Sequence, residues 1–100
     1  MLDSKSSARS SFFSFLSPTT GPDYAEAAEK FNLAGNLYKA AGEWRDAGEA
    51  YLRAAEAHRL EKSPEEAARR QVAAASCFRK APDGAERAIE LIEEACQVYL

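Results

Sequence analysis

The sequence contains few of the residues that build catalytic, metal or disulfide sites. Among 100 residues it has one histidine, two cysteines and no Cys-x-x-Cys pair. Cys77 and Cys96 each lie beside the apolar stripe of a predicted helix, which favours buried free thiols in a reducing compartment. A Gly-rich phosphate loop, a nucleophile elbow and a histidine–carboxylate metal spacing are also missing. We therefore predict no enzymatic activity, no metal and no cofactor.

Long apolar runs and an excess of either charge are missing too. No stretch approaches the roughly 20 apolar residues of a membrane-spanning helix. The apolar cluster near the start covers five residues at most, too short for a secretory signal. A Ser-rich start with Lys5 and Arg9 leaves a mitochondrial transit peptide as a minor alternative. The net charge of −3, with both signs interspersed, argues against a general nucleic-acid binder, because such a protein needs a basic surface.

What the sequence does contain is a repeat of about 20 residues. Small, large, small and aromatic (or histidine) positions recur at steps of three and four, which is the spacing of one face of an α-helix. The copies are Ala27, Phe31, Ala34, Tyr38; Ala47, Tyr51, Ala54, His58; Ala67, Gln71, Ala74, Phe78; and, after one extra residue, Ala88, Ile92, Ala95, Tyr99. The side chains that we expect to be mostly buried are Phe31, Tyr51, Phe78 and Tyr99.

Helix-start and helix-stop signals mark the first two helices. Asp23 followed by Glu26 has the spacing of a capping box and begins the first helix. Gly42 can adopt the left-handed conformation that ends it. Trp44 stands at the corner that follows, and we expect it to pack across the first two helices. The second helix should run to about residue 60.

Similar signals mark the third and fourth helices. Ser63 as N-cap and Pro64 at the first helical position begin the third helix, which should end near residue 80. Asp83, with Glu86 three residues later, is expected to cap the fourth. Residues 23–100 should thus form four helices with breaks near 42, 62 and 82 and no strand. The predicted fold is all-α, a tetratricopeptide-like α-solenoid of antiparallel helical hairpins.

Residues 1–22 differ from the repeats and are predicted to be a separate N-terminal segment. They hold seven serines and one apolar cluster, which consists of Phe12, Phe13, Phe15 and Leu16. A loop rich in Ser, Thr, Pro and Gly follows at residues 17–22. The cluster is either a staple packed on the first hairpin or an exposed membrane-contacting tip. The interspersed serines and the loop favour the tip, whose binding would be weak and reversible.

Several of these features together resemble a known family. They are the SSFFSFL run with the loop after it, the aromatic-Lys-x-x-x-x-Trp corner of Tyr38, Lys39 and Trp44, the Ala-Ala-x-x-His run of residues 54–58, and Phe-Arg-Lys-Ala at residues 78–81. Over nearly its whole length the sequence is similar to the N-terminal part of the soluble NSF attachment proteins. The alpha-SNAP branch is the most similar.

The resemblance implies an adaptor of vesicle trafficking and membrane fusion, for example in ER–Golgi transport. Such adaptors are right-handed sheets of helical hairpins. They lie along a SNARE four-helix bundle and recruit the ATPase NSF to disassemble it. The resemblance also implies a cytoplasmic, peripheral membrane location. Carried over to this sequence, the membrane loop is Phe12 and Phe13, extended by Phe15 and Leu16, and the SNARE-facing basic residues are Lys39, Arg79 and Lys80.

Departures from the family limit what we expect of the chain. Gly42 stands where relatives can carry lysine, and the N-terminal helix is short. Later hairpins and the C-terminal bundle that touches NSF are absent. We therefore expect the start of a longer solenoid, whose fourth helix exposes an apolar flank and which meets NSF only through regions beyond this chain.

Two alternatives remain open. The basic residues near helix C-termini could serve only to complement the helix dipoles. The chain could also be a generic tetratricopeptide-like scaffold that clasps a peptide, which a basic carboxylate clamp on its concave face would support.

Overall fold

The computed structural model describes residues 23–99, and of Tyr99 it describes the backbone alone. Four helices occupy this range: α1 Tyr24–Ala40, α2 Trp44–Leu60, α3 Pro64–Lys80 and α4 Ala85–Tyr99. No strand occurs within it. The all-α prediction and the breaks near residues 42, 62 and 82 are therefore confirmed. The predicted burial of the Tyr99 side chain lies outside the described part, as does everything predicted for residues 1–22.

The helices pack in the order of the chain. The extensive contacts are α1 with α2, α2 with α3, and α3 with α4. Because the turns between them are short, consecutive helices are antiparallel, and α1 and α3 run in the same direction. Contacts between sequence neighbours are typical of a solenoid of helical hairpins, so the predicted architecture is confirmed. The C-terminal ends of α1 and α3 consequently lie at the same end of the molecule.

The boundaries of α1 follow the predicted signals. Asp23 is the N-cap, and its Oδ1 accepts a hydrogen bond from the backbone N–H of Glu26 at 3.1 Å. Gly42 has a φ of 78°, a left-handed conformation that glycine adopts without a steric penalty. Its N–H donates to the Lys39 carbonyl at 3.0 Å, which closes the last turn.

The starts of α3 and α4 depart from prediction in detail. Ser63 is the N-cap of α3 and Pro64 its first residue, but the Ser63 side chain makes no capping hydrogen bond. The assignment of Asp83 as the cap of α4 is wrong, since Asp83 lies in the turn with a φ of 60° and α4 begins at Ala85. Gly84 accepts the first helical hydrogen bond, from Ala88. A Cβ at Gly84 would overlap the Phe78 carbonyl, so the tight fit there requires glycine.

Aromatic rings that rest on glycines bring the helices close together. The Tyr51 ring of α2 lies so near Gly35 of α1 that an added Cβ would approach it to 2.6 Å. The Phe78 ring of α3 would meet a Cβ at Gly48 of α2 at 2.8 Å. Each ring thus fills a space left by the missing side chain on the preceding helix. The main core cluster comprises Ala47, Tyr51, Ala74, Ala75, Cys77, Phe78, Ala88 and Leu91.

Some of the predicted burial is confirmed and some is wrong. Tyr51 and Phe78 are 3% and 2% exposed, whereas Phe31 is only half-buried on a smaller cluster of alanines. In α4 the buried large side chain is Leu91 rather than Ile92, which is 43% exposed. The reason is that α4 packs on α3 through the stripe that contains Ala88, Leu91 and Ala95, and Ile92 lies about 100° further around the helix.

Cys96 and Trp44 also differ from expectation. Cys77 is buried, but Cys96 is exposed, because it follows the buried Ala95 and lies outside the stripe that faces α3. Trp44 is half-buried and packs against the main cluster, which belongs to α2, α3 and α4 rather than to the first two helices.

As expected, α4 leaves an apolar flank exposed, which includes Ile89, Ile92 and Val98.

Candidate partner-binding site on helices α1 and α3

Within the described range, several charged side chains are paired along their own helices. Arg59 binds Glu56, Arg69 binds Glu66 and Arg87 binds Glu90, each at a separation of three residues. No group of three or more His, Cys, Asp or Glu side chains between residues 23 and 99 is placed to hold a metal ion. None of the helices α1 to α4 is both long and apolar enough to cross a bilayer.

The three predicted basic residues lie at the ends of α1 and α3. Lys39 is in the last turn of α1, and Arg79 and Lys80 are in the last turn of α3. All three are exposed. Because α1 and α3 are parallel, the three cations lie at one end of the molecule, which we call the basic end. There they also complement the negative ends of the two helix dipoles.

An aromatic ring holds one of these cations. The Nζ of Lys80 lies 4.6 Å from the centroid of the Trp44 ring, within cation–π range. Trp44 begins α2, and its packing against the core fixes the ring in place. Trp44 stands at the predicted corner, but its contact with Lys80 has no signal in the sequence because it joins residues 36 positions apart.

A second contact ties the start of α2 to the turn after α3. Arg45 donates a hydrogen bond from Nη2 to the carbonyl of Pro82 at 2.8 Å. Together, Trp44 and Arg45 connect the first turn of α2 to the end of α3. The basic end is therefore a supported surface rather than a set of independent side chains.

The buried Cys77 thiol lies within electrostatic reach of two of the cations. Burial raises the pKa of the Cys77 thiol, and the positive charges of Lys39 and Lys80 oppose that rise. Both lysines are therefore near Cys77, although they belong to different helices. Arg79 adjoins Lys80 in sequence but lies about 100° further around α3. Lys39 and Lys80 thus share the end of the molecule at which Cys77 lies, and Arg79 is directed to another side of the same end.

Two asparagines of α1 extend this surface away from the basic end. Asn32, Asn36 and Lys39 share one face of α1, since they are spaced by four and three residues. Arg70 of α3 donates from Nη1 to Asn32 Oδ1 at 2.7 Å. The Tyr51 hydroxyl of α2 donates to Asn36 Oδ1 at 2.5 Å. Asn32 and Asn36 were not predicted as site residues. The spacing that could have identified them is visible in the sequence, since they lie two turns and one turn before Lys39.

A separate polar network joins α2, α3 and α4 through Gln71. This side chain is 2% exposed and occupies a large position of the repeat. Its Oε1 accepts a hydrogen bond from Arg59, and its Nε2 donates to the Leu91 carbonyl at 3.1 Å and to Glu94 Oε1 at 2.8 Å. Because the amide is fully used inside the fold, we assign Gln71 a structural role.

Comparison with known proteins identifies the family. Residues 3–100 match the family described as "Soluble NSF attachment protein, SNAP". The chain belongs to this family. It is also similar to the alpha-soluble NSF attachment protein of Vitis vinifera, with 31% identity over 80 residues. No solved structure gives a significant match.

Membership of the family confirms the resemblance seen in the sequence. The aligned region is 80% of this chain but 27% of the Vitis vinifera relative, so the chain spans about a quarter of that protein's length. The predicted membrane-contact residues Phe12, Phe13, Phe15 and Leu16 fall inside the family match but outside the described residues.

Proposed function

We propose that the chain is the part of an NSF adaptor that contacts SNARE complexes and the membrane surface. The single observation that carries this proposal is the family match over residues 3–100. The cellular process is vesicle-mediated transport, and the location is the cytoplasmic face of a membrane, with peripheral attachment. Recruitment of NSF, which disassembles the SNARE complex, is assigned to regions of the adaptor other than residues 1–100.

The SNARE-facing part of the proposal rests on the basic end. Lys39, Arg79 and Lys80 are exposed there on a chain whose net charge is −3. Cations clustered on one surface attract an acidic partner over about a Debye length, roughly 8 Å at physiological salt. Such attraction mainly speeds association and selects acidic partners. A SNARE four-helix bundle with an acidic surface is the partner that we propose for it.

The membrane part rests on Phe12, Phe13, Phe15 and Leu16. Their apolar side chains are separated by serine and followed by a Pro/Gly loop. Insertion of four apolar side chains into the headgroup region gives weak and reversible binding, comparable with that of a single lipid chain.

Flotation with protein-free liposomes tests the membrane part. Changing Phe12 and Phe13 to Ser should reduce liposome binding several-fold and leave the melting temperature nearly unchanged, because exposed apolar residues contribute to partition but not to folding. The matched control changes Leu33 and Leu37 of α1 to Ser, since these are also exposed, at 53% and 64%. That control should bind liposomes like the unmodified chain.

The opposite pattern would refute the membrane assignment. If the Phe12 and Phe13 changes lower the melting temperature sharply without altering liposome binding, the cluster is a staple packed on the first hairpin. Equal losses in the Phe and Leu variants would show that any exposed apolar residue supports partition.

A further inference from the structure

We propose that the two outer edges of the helical array bind each other in trans, so that copies of this chain associate head to tail. One edge is the stripe of α4 formed by Ile89, Ile92 and Cys96, which we call the far edge. The other is the stripe of α1 formed by Ala34 and Tyr38, which we call the near edge. The inference goes beyond the proposed function, because this association needs neither a SNARE complex nor a membrane.

Helix α2 shows how a stripe like the far edge is covered inside the array. Tyr51 of α2 occupies the place in the repeat that Ile92 occupies in α4, and Gly48 corresponds in the same way to Ile89. Tyr51 and Gly48 are buried, and the Phe78 ring of α3 rests on Gly48. Ile89 and Ile92 are 58% and 43% exposed, since among the described helices α4 packs extensively on α3 alone. The far edge therefore offers a position for a helix of the α3 type.

Helix α3 shows the other half of that internal contact. Its Ala74 and Phe78 are fully buried in the cluster that joins α3 to α2. The corresponding residues of α1 are more open, since Ala34 is half-buried and Tyr38 is 44% exposed. Both line a groove of about 490 Å³ between α1 and α2. Helix α1 thus presents the small and aromatic residues through which α3 binds α2.

The two edges fit each other because together they continue an interface that the chain already makes. With α1 of a second copy on the far edge, Tyr38 lies beside Ile89 as Phe78 lies beside Gly48 within one chain. Ile89 is larger than glycine, so the helices at this junction lie further apart and the contact is weaker than the internal one. In solenoids a polar outer face on the terminal helices prevents such extension, and neither described edge is polar.

Charge favours this head-to-tail contact over a symmetric pair of α4 helices. Helix α4 carries four glutamates and one arginine, so two α4 helices face to face would bring like charges together. The groove at the near edge is instead lined by both signs of charge, from Lys30, Asp46, Glu49 and Arg53. A contact between two different edges leaves one edge of each kind open, so the assembly does not close at two copies.

Sedimentation equilibrium of the purified chain over a range of concentrations tests the association. A contact made by a few helical turns is smaller than the roughly 800 Å² per partner of a stable interface, so association should appear only at high micromolar concentrations. The average mass should then rise with concentration and pass twice the monomer mass, because an open contact does not stop at a pair.

Two variants each block one edge. Ile92→Glu blocks the far edge and Tyr38→Glu blocks the near edge, and each should raise the dissociation constant about tenfold or more, because a charge would be buried in an apolar contact. Both side chains are largely exposed, so the melting temperature should change little. The matched control is Val98→Glu, since Val98 is as exposed as Ile92 but lines a groove with Arg59 on the other flank of α4. This control should associate like the unmodified chain.

Mixing the two blocked variants gives the decisive result. The far edge of Tyr38→Glu and the near edge of Ile92→Glu are both intact, so an equimolar mixture should form pairs at concentrations where each variant alone is monomeric. These pairs should not grow further, because both of their outer edges are blocked. A mixture that stays monomeric would overturn the inference.

Three other results would also overturn it. The first is an unmodified chain that stays monomeric at every concentration. The second is a pair that Ile92→Glu abolishes but Tyr38→Glu does not, which would indicate symmetric packing of two α4 helices. The third is a monomeric chain that associates only after Phe12 and Phe13 are changed to Ser, which would assign the near edge to the N-terminal segment of the same chain.

Discussion

At the scale of single residues, the corner formed by Trp44 links packing to charge. The ring packs against the core and lies 4.6 Å from the ammonium group of Lys80. Trp44 is the single tryptophan of the chain. Trp44 therefore contributes to folding and also positions the Lys80 ammonium group. Its fluorescence can be used to detect that contact.

We predict that Lys80→Gln changes the fluorescence emission of Trp44, because it removes the charge near the ring face. The loss of the cation–π contact should cost about 0.5–1 kcal/mol of unfolding free energy, measured by urea denaturation. Arg79→Gln is the matched control, with the same loss of charge one residue earlier. It should leave the emission unchanged. Identical spectra for Lys80→Gln and the unmodified chain would contradict the contact.

Positions of single residues along a helix could be predicted from the sequence, but contacts between distant residues could not. The sequence located Lys39, Arg79 and Lys80 near helix C-termini, because helix length and turn signals determine that position. It did not indicate the bond between Arg70 and Asn32, which joins residues 38 positions apart. Such a contact depends on how α3 lies beside α1, and local periodicity contains no information on that.

At the scale of helices, glycine sets the distance between neighbours. Gly35 and Gly48 accept the rings of Tyr51 and Phe78 from the next helix. The helix bounds agreed with the turn signals except at the start of α4, where Asp83 lies in the turn. The buried face of α4 was predicted wrongly because Leu91 and Ile92 are adjacent and both apolar. Only the contact with α3 distinguishes the two stripes.

We predict that Gly48→Ala destabilises the fold by about 1–3 kcal/mol, since the new methyl group would lie 2.8 Å from the Phe78 ring. Thermal or urea unfolding measures the effect. Combining Gly48→Ala with Phe78→Leu tests the cause: the two costs should sum to more than the cost of the double variant, because the smaller side chain relieves the clash. Strict additivity would show that the methyl group and the ring do not compete for space.

At the scale of the whole molecule, charge is unevenly distributed. The chain has a net charge of −3, yet Lys39, Arg70 and Lys80 lie on the α1 and α3 surface that ends in the basic end. Parallel α1 and α3 produce this arrangement, because sequential packing in a solenoid places alternate helices side by side. A partner with an acidic, rod-like surface fits such a surface better than a compact neutral one.

The most direct test of the account is the salt dependence of binding between the purified chain and a soluble, assembled SNARE four-helix bundle, measured by fluorescence anisotropy. Affinity should fall as salt rises, and Lys39→Glu with Lys80→Glu should reduce it at least tenfold at low salt. Arg53→Glu with Lys62→Glu, the same charge change at exposed positions away from the basic end, should have a much smaller effect. Binding that does not depend on salt, or equal losses in the two double variants, would contradict the account.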